Sequence, residues 1–232
     1  MRALIFNSGM GTRMGTADKP KCMAELGGCT IIKHQLHALA EAGITDIVIT
    51  TGHLADVLRG HIKDYDVNFA HNPLYSATNY IYSMYLAKTC FEDNTQPVLV
   101  LHGDVVFEQS VINELTKTKD NAVTVDKDVP LPEKDFKALL IDNTIHKIGV
   151  DVFADGAVAC QPMYRFTALA FDAFMAKVIE FCNSGNTGVY AENALNTLLP
   201  GLMLKPLYLS GRLCQEADTP QDLQEIRQRI VL

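Results

Sequence analysis

A short apolar run, Ala3 to Phe6, empties into Gly9-Met10-Gly11-Thr12-Arg13-Met14, and Lys19-Pro20-Lys21 follows closely. This sequence limits the fold more than any other stretch of the chain. A strand that ends in a glycine loop lets backbone N–H groups approach anionic oxygens with no Cβ in the way. Arg13, Lys19 and Lys21 add charge-assisted donors, so the loop is built to hold a polyphosphate. It is not a Walker A loop, because no GK[ST] stands at the required spacing, nor a GxGxxG fingerprint, because Met14 occupies the third glycine position.

The next segments continue the pattern. Thr30 to Ala42 carries Ile32, Leu36, Leu39 and Ala40 on one helical face before Gly43. Strands are expected at Asp46 to Thr51 and Val67 to Ala70, with a helix at Leu54 to Ile62 between them. Tyr80 to Lys88 reads as a helix, Pro97 to His102 as a buried central strand ending at Gly103 and Asp104, and Val111 to Lys117 as a helix. Such alternation predicts a doubly wound, mainly parallel α/β sheet with ligands outside the carboxyl ends of its strands. From Ala122 the pattern changes. Strands are expected at Ala122 to Asp126, Ala138 to Ile141 and Ile145 to Val150, with Asp142 and Asn143 turning the second into the third. Asp128 to Asp135 reads as an exposed excursion. Met163 to Ala170 is a strand candidate, followed by helices at Phe171 to Cys182, Ala191 to Leu199 and Pro220 to Ile230. Thr219 and Asp222 form a capping-box pattern at the start of the last helix.

The 232 residues suit one α/β domain with a small β-containing subdomain on the acceptor side, and no linker divides them. We expect a nucleotide-binding part over 1–120 and an acceptor-binding, metal-completing part over 121–232. A net charge of −7 argues against a nucleic-acid partner, because phosphate backbones demand a basic surface. Six scattered cysteines without a CxxC pair read as free thiols. No stretch reads as a signal peptide or a membrane span, so the expected location is the cytoplasm.

The combined pattern of glycine loop, Arg13 and Lys-Pro-Lys resembles the signature of nucleoside-triphosphate transferases, which make sugar nucleotides and CDP-alcohols. Asn72 to Lys88 (NPLYSATNYIYSMYLAK) and EADTPQDL resemble the subgroup that transfers CMP to phosphocholine and related amino-alcohol phosphates or phosphonates. The resemblance implies a Rossmann-like nucleotidyltransferase fold, Mg²⁺ as cofactor, CTP and a small phosphate or phosphonate acceptor as substrates, and pyrophosphate release. It leaves a homodimer open.

Residue roles follow by position. Lys21, the second lysine of the pair, would stabilise the transferred phosphoryl group, and Arg13 would clamp the leaving pyrophosphate. Asn7, Ser8, Gly9, Gly11, Thr12 and Arg13 would hold the nucleotide, with Asn79 and Ser83 at the base. Asp104, after the central strand, and Asp218, before the last helix, resemble the two metal-binding carboxylates. Asp126, Tyr190 and Glu192 are candidates for an acceptor amine, while Tyr80, Tyr82 and Tyr85 read as core or pocket wall. The sequence departs from the family in three places. Asn7 and Ser8 stand where small residues precede the first glycine, the gap between Arg13 and Lys19 is shortened to Met14 to Asp18, and Gly149 and Val150 stand where relatives often carry a Lys. The alternatives are a sugar-1-phosphate transferase using UTP, dTTP or GTP, and a catalytically silent nucleotide-binding module.

Overall fold

In the computed structural model, residues 1–14 and 18–230 are described. Positions 15–17, inside the expected phosphate loop, lie outside the described residues. The first half alternates as expected: β1 (Arg2–Asn7), α1 (Ile31–Glu41), β2 (Asp46–Thr51), α2 (Ala55–His61), β3 (Asn68–His71), α3 (Tyr80–Leu86) and β4 (Val98–His102). Then come β5 (Val105–Phe107), α4 (Gln109–Lys117), β6 (Ala122–Asp126), β7 (Lys137–Ile141), β8 (Thr144–Gly149) and β9 (Ala157–Phe166). The chain closes with α5 (Ala168–Asn183), α6 (Ala191–Asn196), β10 (Lys205–Tyr208), β11 (Cys214–Glu216) and α7 (Pro220–Arg229).

One mixed sheet runs β10-β6-β9-β4-β1-β2-β3, and β7 joins it through β9 and carries β8. β4, β1, β2 and β3 are parallel, as is β6 with β10, whereas β9 runs antiparallel to both β4 and β6. Helices cover both faces, so β1 and β4 are buried along almost their whole length and read as continuous apolar runs. One apolar core lies on the face of α3, α5 and α6 and another on the face of α1, α2 and α4. A smaller third core joins Met14 of the glycine loop to Leu223 and Ile226 of α7.

Several boundaries differ from expectation. The expected strand Met163 to Ala170 begins earlier, at Ala157, and stops at Phe166, because Thr167 caps α5 by accepting from the Ala170 N–H. The helix after Tyr190 ends at Asn196, short of Leu199. β5, β10 and β11 were absent from the sequence reading. Asp142 and Asn143 do turn β7 into β8, both with positive φ. The capping box at Thr219 and Asp222 is present on both sides. All six cysteines are free thiols. Among the described residues no helix is long and apolar enough to cross a membrane.

Candidate active site

The site sits at the carboxyl ends of β1 and β4. Past β1, Gly11 adopts φ +60 and opens a 3-10 turn, Thr12–Met14, with the Met14 N–H donating to Gly11 O. A Cβ on Gly11 would lie 2.8 Å from Lys21 Cβ, so this glycine provides both the turn and the close approach of the lysine. Burial of Met14 against α7 ties the loop to the last helix.

Lys21 Nζ lies between two carboxylates, donating to Asp104 Oδ2 and to Asp218 Oδ1. Arg13 Nη2 reaches the other oxygen, Asp218 Oδ2, at 2.9 Å. The residues that bring the two aspartates together are those the sequence reading missed. β5 and β11 form an antiparallel ladder, Val105 opposite Glu216, which the Ala217 N–H extends by donating to Asp104 O at 2.9 Å. Asp104 and Asp218 flank the open end of this ladder although 114 positions separate them. Burial disfavours the charged ammonium of Lys21, yet the two carboxylates outweigh it and raise its pKa. Asp104 is held below the usual carboxylate range: burial opposes ionisation, and Lys21 and His102 overcome it.

A cavity of about 350 Å³ opens beside this cluster, lined by Asn7 to Arg13, Lys21, Tyr75, Thr78 to Tyr80, His102 to Asp104 and Asp218. Its size and convergent polar groups suit a nucleotide-sized ligand. Every residue assigned from sequence to the nucleotide lines it except Ser83. That side chain is fully buried, with its Oγ 2.7 Å from Ser8 Oγ and accepting from Asn72 Nδ2 at 3.0 Å, so it fixes Ser8 from behind. Asn79 caps α3 by accepting from the Tyr80 N–H.

Glycines elsewhere in the chain pack closely against the two residues ahead of the first glycine. A Cβ on Gly103 would lie 1.8 Å from Asn7 Oδ1, so the Asn7 side chain lies directly over that residue. A Cβ on Gly52 would meet Ser8 O at 2.5 Å. The Asn7 side chain therefore fits because Gly103 leaves it room, and Gly52 lets the Ser8 backbone approach closely.

Beyond Asp104 lies a buried polar cluster that only folding assembles. His102 Nδ1 is 3.3 Å from Glu216 Oε1 and Nε2 is 3.9 Å from Glu192 Oε1. Burial alone would lower the His102 pKa, but the Glu216 contact and the charges of Glu216, Glu192 and Asp104 raise it. Burial, reinforced by Asp104, lifts the Glu216 carboxyl to about 7. Asp135 is raised by burial and by Asp218. Two oxygen-rich groups can therefore hold a cation beside the aspartate pair: His102 with Asp104 and Glu216, and Asp135 with Glu216 and Asp218.

The acceptor candidates separate. Tyr190 is partly exposed, with its ring 5.1 Å from Phe136 and 5.9 Å from Tyr80. Glu192 is buried and already accepts from Tyr80 OH and, at 2.8 Å, Tyr164 OH, so its role is to anchor the tyrosines of the wall. Asp126 closes a turn by accepting from the Asp128 N–H and does not line the cavity. Tyr82 and Tyr85 stack on each other away from it, while Tyr80 forms part of its wall. Sequence reasoning passed over His102, Asp135, Phe136 and Glu216. Glu216 had a usable signal: two residues before Asp218, it shares that residue's side of an extended segment.

A glycine loop, a lysine and two aspartates meet around a nucleotide-sized cavity. The family model of the MobA-like NTP transferase domain matches residues 3–180, and the chain belongs to that family. It is 28% identical to the CTP:phosphoglutamine cytidylyltransferase of Campylobacter jejuni, over 97% of this chain and 98% of that protein. It is 33% identical to the CMP-5'-(3-aminopropyl)phosphonate synthase of Streptomyces rubellomurinus over 50% of this chain, and the match spans only 19% of that longer protein. The CTP:phosphocholine cytidylyltransferase of Streptococcus pneumoniae has the same fold, with a TM-score of 0.83 at 21% identity over 98% of this chain and 97% of that one. The chain is a nucleotidyltransferase.

Proposed function

We propose that the enzyme transfers CMP from CTP to a phosphate or phosphonate oxygen of a small amine-bearing acceptor and releases pyrophosphate. The observation that carries this reading is the meeting of Lys21, Asp104 and Asp218 at the cavity, with Arg13 on the same carboxylate. The names of the relatives over whole or half length support cytosine as the base and an amine-bearing acceptor.

A divalent cation fits this site. Among the described residues Asp104 Oδ1 is buried without a partner, and the surrounding donors are mostly hard carboxylate oxygens, the set that Mg²⁺ takes. Asp104 and Asp218 would hold it, and when bound it neutralises charge on the α-phosphate. The chain's own groups do the rest. Backbone N–H groups of the glycine loop cradle the phosphates, and Arg13 binds the leaving pyrophosphate. Lys21 offers its ammonium to the oxygens of the transferred phosphoryl group, where negative charge builds in the transition state. Ser8 and Asn79 present polar groups to the cytosine edge. Phe136 and Tyr190 give aromatic faces, and Asp135 a carboxylate, to the acceptor's cationic group. The acceptor oxygen attacks the α-phosphorus as the bond to the β-phosphate oxygen breaks, with no covalent enzyme intermediate.

Purified protein with CTP, Mg²⁺ and a panel of amine-bearing phosphates and phosphonates is expected to release pyrophosphate, and Asp104→Asn to reduce that release at least about 100-fold. In thermal shift, CTP is expected to stabilise the protein more than UTP, GTP or dTTP at equal concentration. Equal stabilisation by all four would overturn the cytosine reading, and full turnover by Asp104→Asn would overturn the metal role.

A further inference from the structure

Lys137 opens β7 and is fully buried, an uncommon place for a lysine. Its Nζ makes no ion pair among the described residues. Instead it donates to three carbonyl oxygens of one short segment: Pro132 at 2.7 Å, Asp135 at 3.0 Å and Glu133 at 3.4 Å. The Phe153 ring covers it, with the centroid 4.1 Å away. An ammonium has three donors and no acceptor, so these carbonyls satisfy it completely and offset the penalty of burying it.

The segment around it has little else to fix its shape. Residues 127–136 form neither strand nor helix, and most are exposed. The lysine therefore organises 132–135 from within, as a coordinated cation organises a binding loop. The segment ends on two residues packed beside the site. The Asp135 carboxylate lies within 4.8 Å of those of Glu216 and Asp218, and Phe136 packs edge-on to His102 and Tyr190. Lys137 also stands opposite Gly149 in the β7–β8 ladder.

We propose that Lys137 is a positioning residue for acceptor recognition: its ammonium holds 132–136 so that Asp135 and Phe136 form the acceptor wall, independently of the nucleotide half. This rests on the reading that the acceptor binds against that wall.

The test uses full-length Lys137→Met, which keeps the stem and loses the charge, and Lys137→Ala with and without n-propylammonium, which replaces the missing atoms. In pyrophosphate-release assays, Lys137→Met is expected to raise KM for the acceptor at least 10-fold while KM for CTP stays within 2-fold. Amide hydrogen exchange is expected to accelerate in 128–136 and to stay unchanged in β1 and β4. In Lys137→Ala, millimolar n-propylammonium is expected to slow that exchange again, whereas NaCl at equal ionic strength is not. Unchanged loop exchange and acceptor KM in a folded variant would overturn the proposal, as would equal rises in both KM values. If the wild type releases no pyrophosphate with any acceptor, the transfer reading fails. The exchange and amine-rescue arms still decide on Lys137, because unchanged exchange in 128–136 overturns its role.

Discussion

Lys21 carries two functions in one side chain. In the free protein it neutralises two carboxylates that would otherwise repel each other, and in the proposed transfer it would face the developing phosphoryl charge. Lys21→Ala is therefore expected to lower kcat by about 10²–10³. It is also expected to destabilise the free protein by up to about 3 kcal/mol, because Asp104 is left nearly buried without its lysine, while Asp218 keeps Arg13. Denaturant melts with and without Mg²⁺ check this: millimolar Mg²⁺ should restore most of the lost stability and little of the turnover. A variant that loses turnover but melts like the wild type would exclude the first function. Lys21, Arg13 and both aspartates were legible in the sequence because each is a charged residue beside a recognisable strand or cap. His102 and Glu216 were not, because an isolated His in an apolar strand and a Glu in a short segment become partners only through folding.

Among the elements, the short β5–β11 ladder decides the chemistry. Three residues on each side give too weak a pattern to read, since alternation over so few positions is indistinguishable from a turn. Yet the ladder and its extension through the Ala217 N–H set the separation of the two aspartates. Ala217→Pro, which removes that N–H, is expected to cut turnover at least about 100-fold while the β1–β4 core keeps its amide protection, as hydrogen exchange would show. At the ends of β1 and β4, Gly103→Ala would drive a Cβ into Asn7 and to 2.6 Å from Phe6 O. The expected result is a loss of about 1–3 kcal/mol and weaker nucleotide binding, measured by thermal melts with and without CTP. The parallel half of the sheet was legible because its strands are long, apolar and separated by clear helices. The β9 boundary was misplaced by the run from Met163 to Ala170, which apart from Arg165 and Thr167 stays apolar across a strand end and a helix start. Only the Thr167 cap divides it.

For the molecule as a whole, the charge of the site makes stability depend on pH. Glu216 has a folded pKa of about 7, above its unfolded value, so folding takes up a proton between about pH 4.5 and 7. Its contribution thus declines as pH rises through that window. His102, also raised, stabilises the fold below its unfolded pKa and loses that contribution as pH rises through its folded value. Without divalent cations, wild type is expected to lose about 2–3 kcal/mol relative to Glu216→Gln between pH 5 and 8. Divalent cation binding needs ionised carboxylates, so Mg²⁺ should stabilise wild type more at pH 8 than at pH 5.5. Thermal melts across this range, with and without Mg²⁺, would show a pH-independent gap between the two proteins if Glu216 kept an ordinary pKa.

The sequence by itself determined the α/β class, the glycine loop, the lysine that serves it and the two separated aspartates. These are set by local rules: backbone freedom at glycine, apolar periodicity and helix capping, all of which act within a few residues. The tertiary structure alone decided that Asp104 and Asp218 share Lys21, that Glu192 anchors tyrosines, and that a buried lysine gathers the carbonyls of Pro132, Glu133 and Asp135. Those arrangements depend on strands and loops far apart in the chain meeting beside the carboxyl ends of the central strands, where burial turns ordinary side chains into a coupled charge cluster.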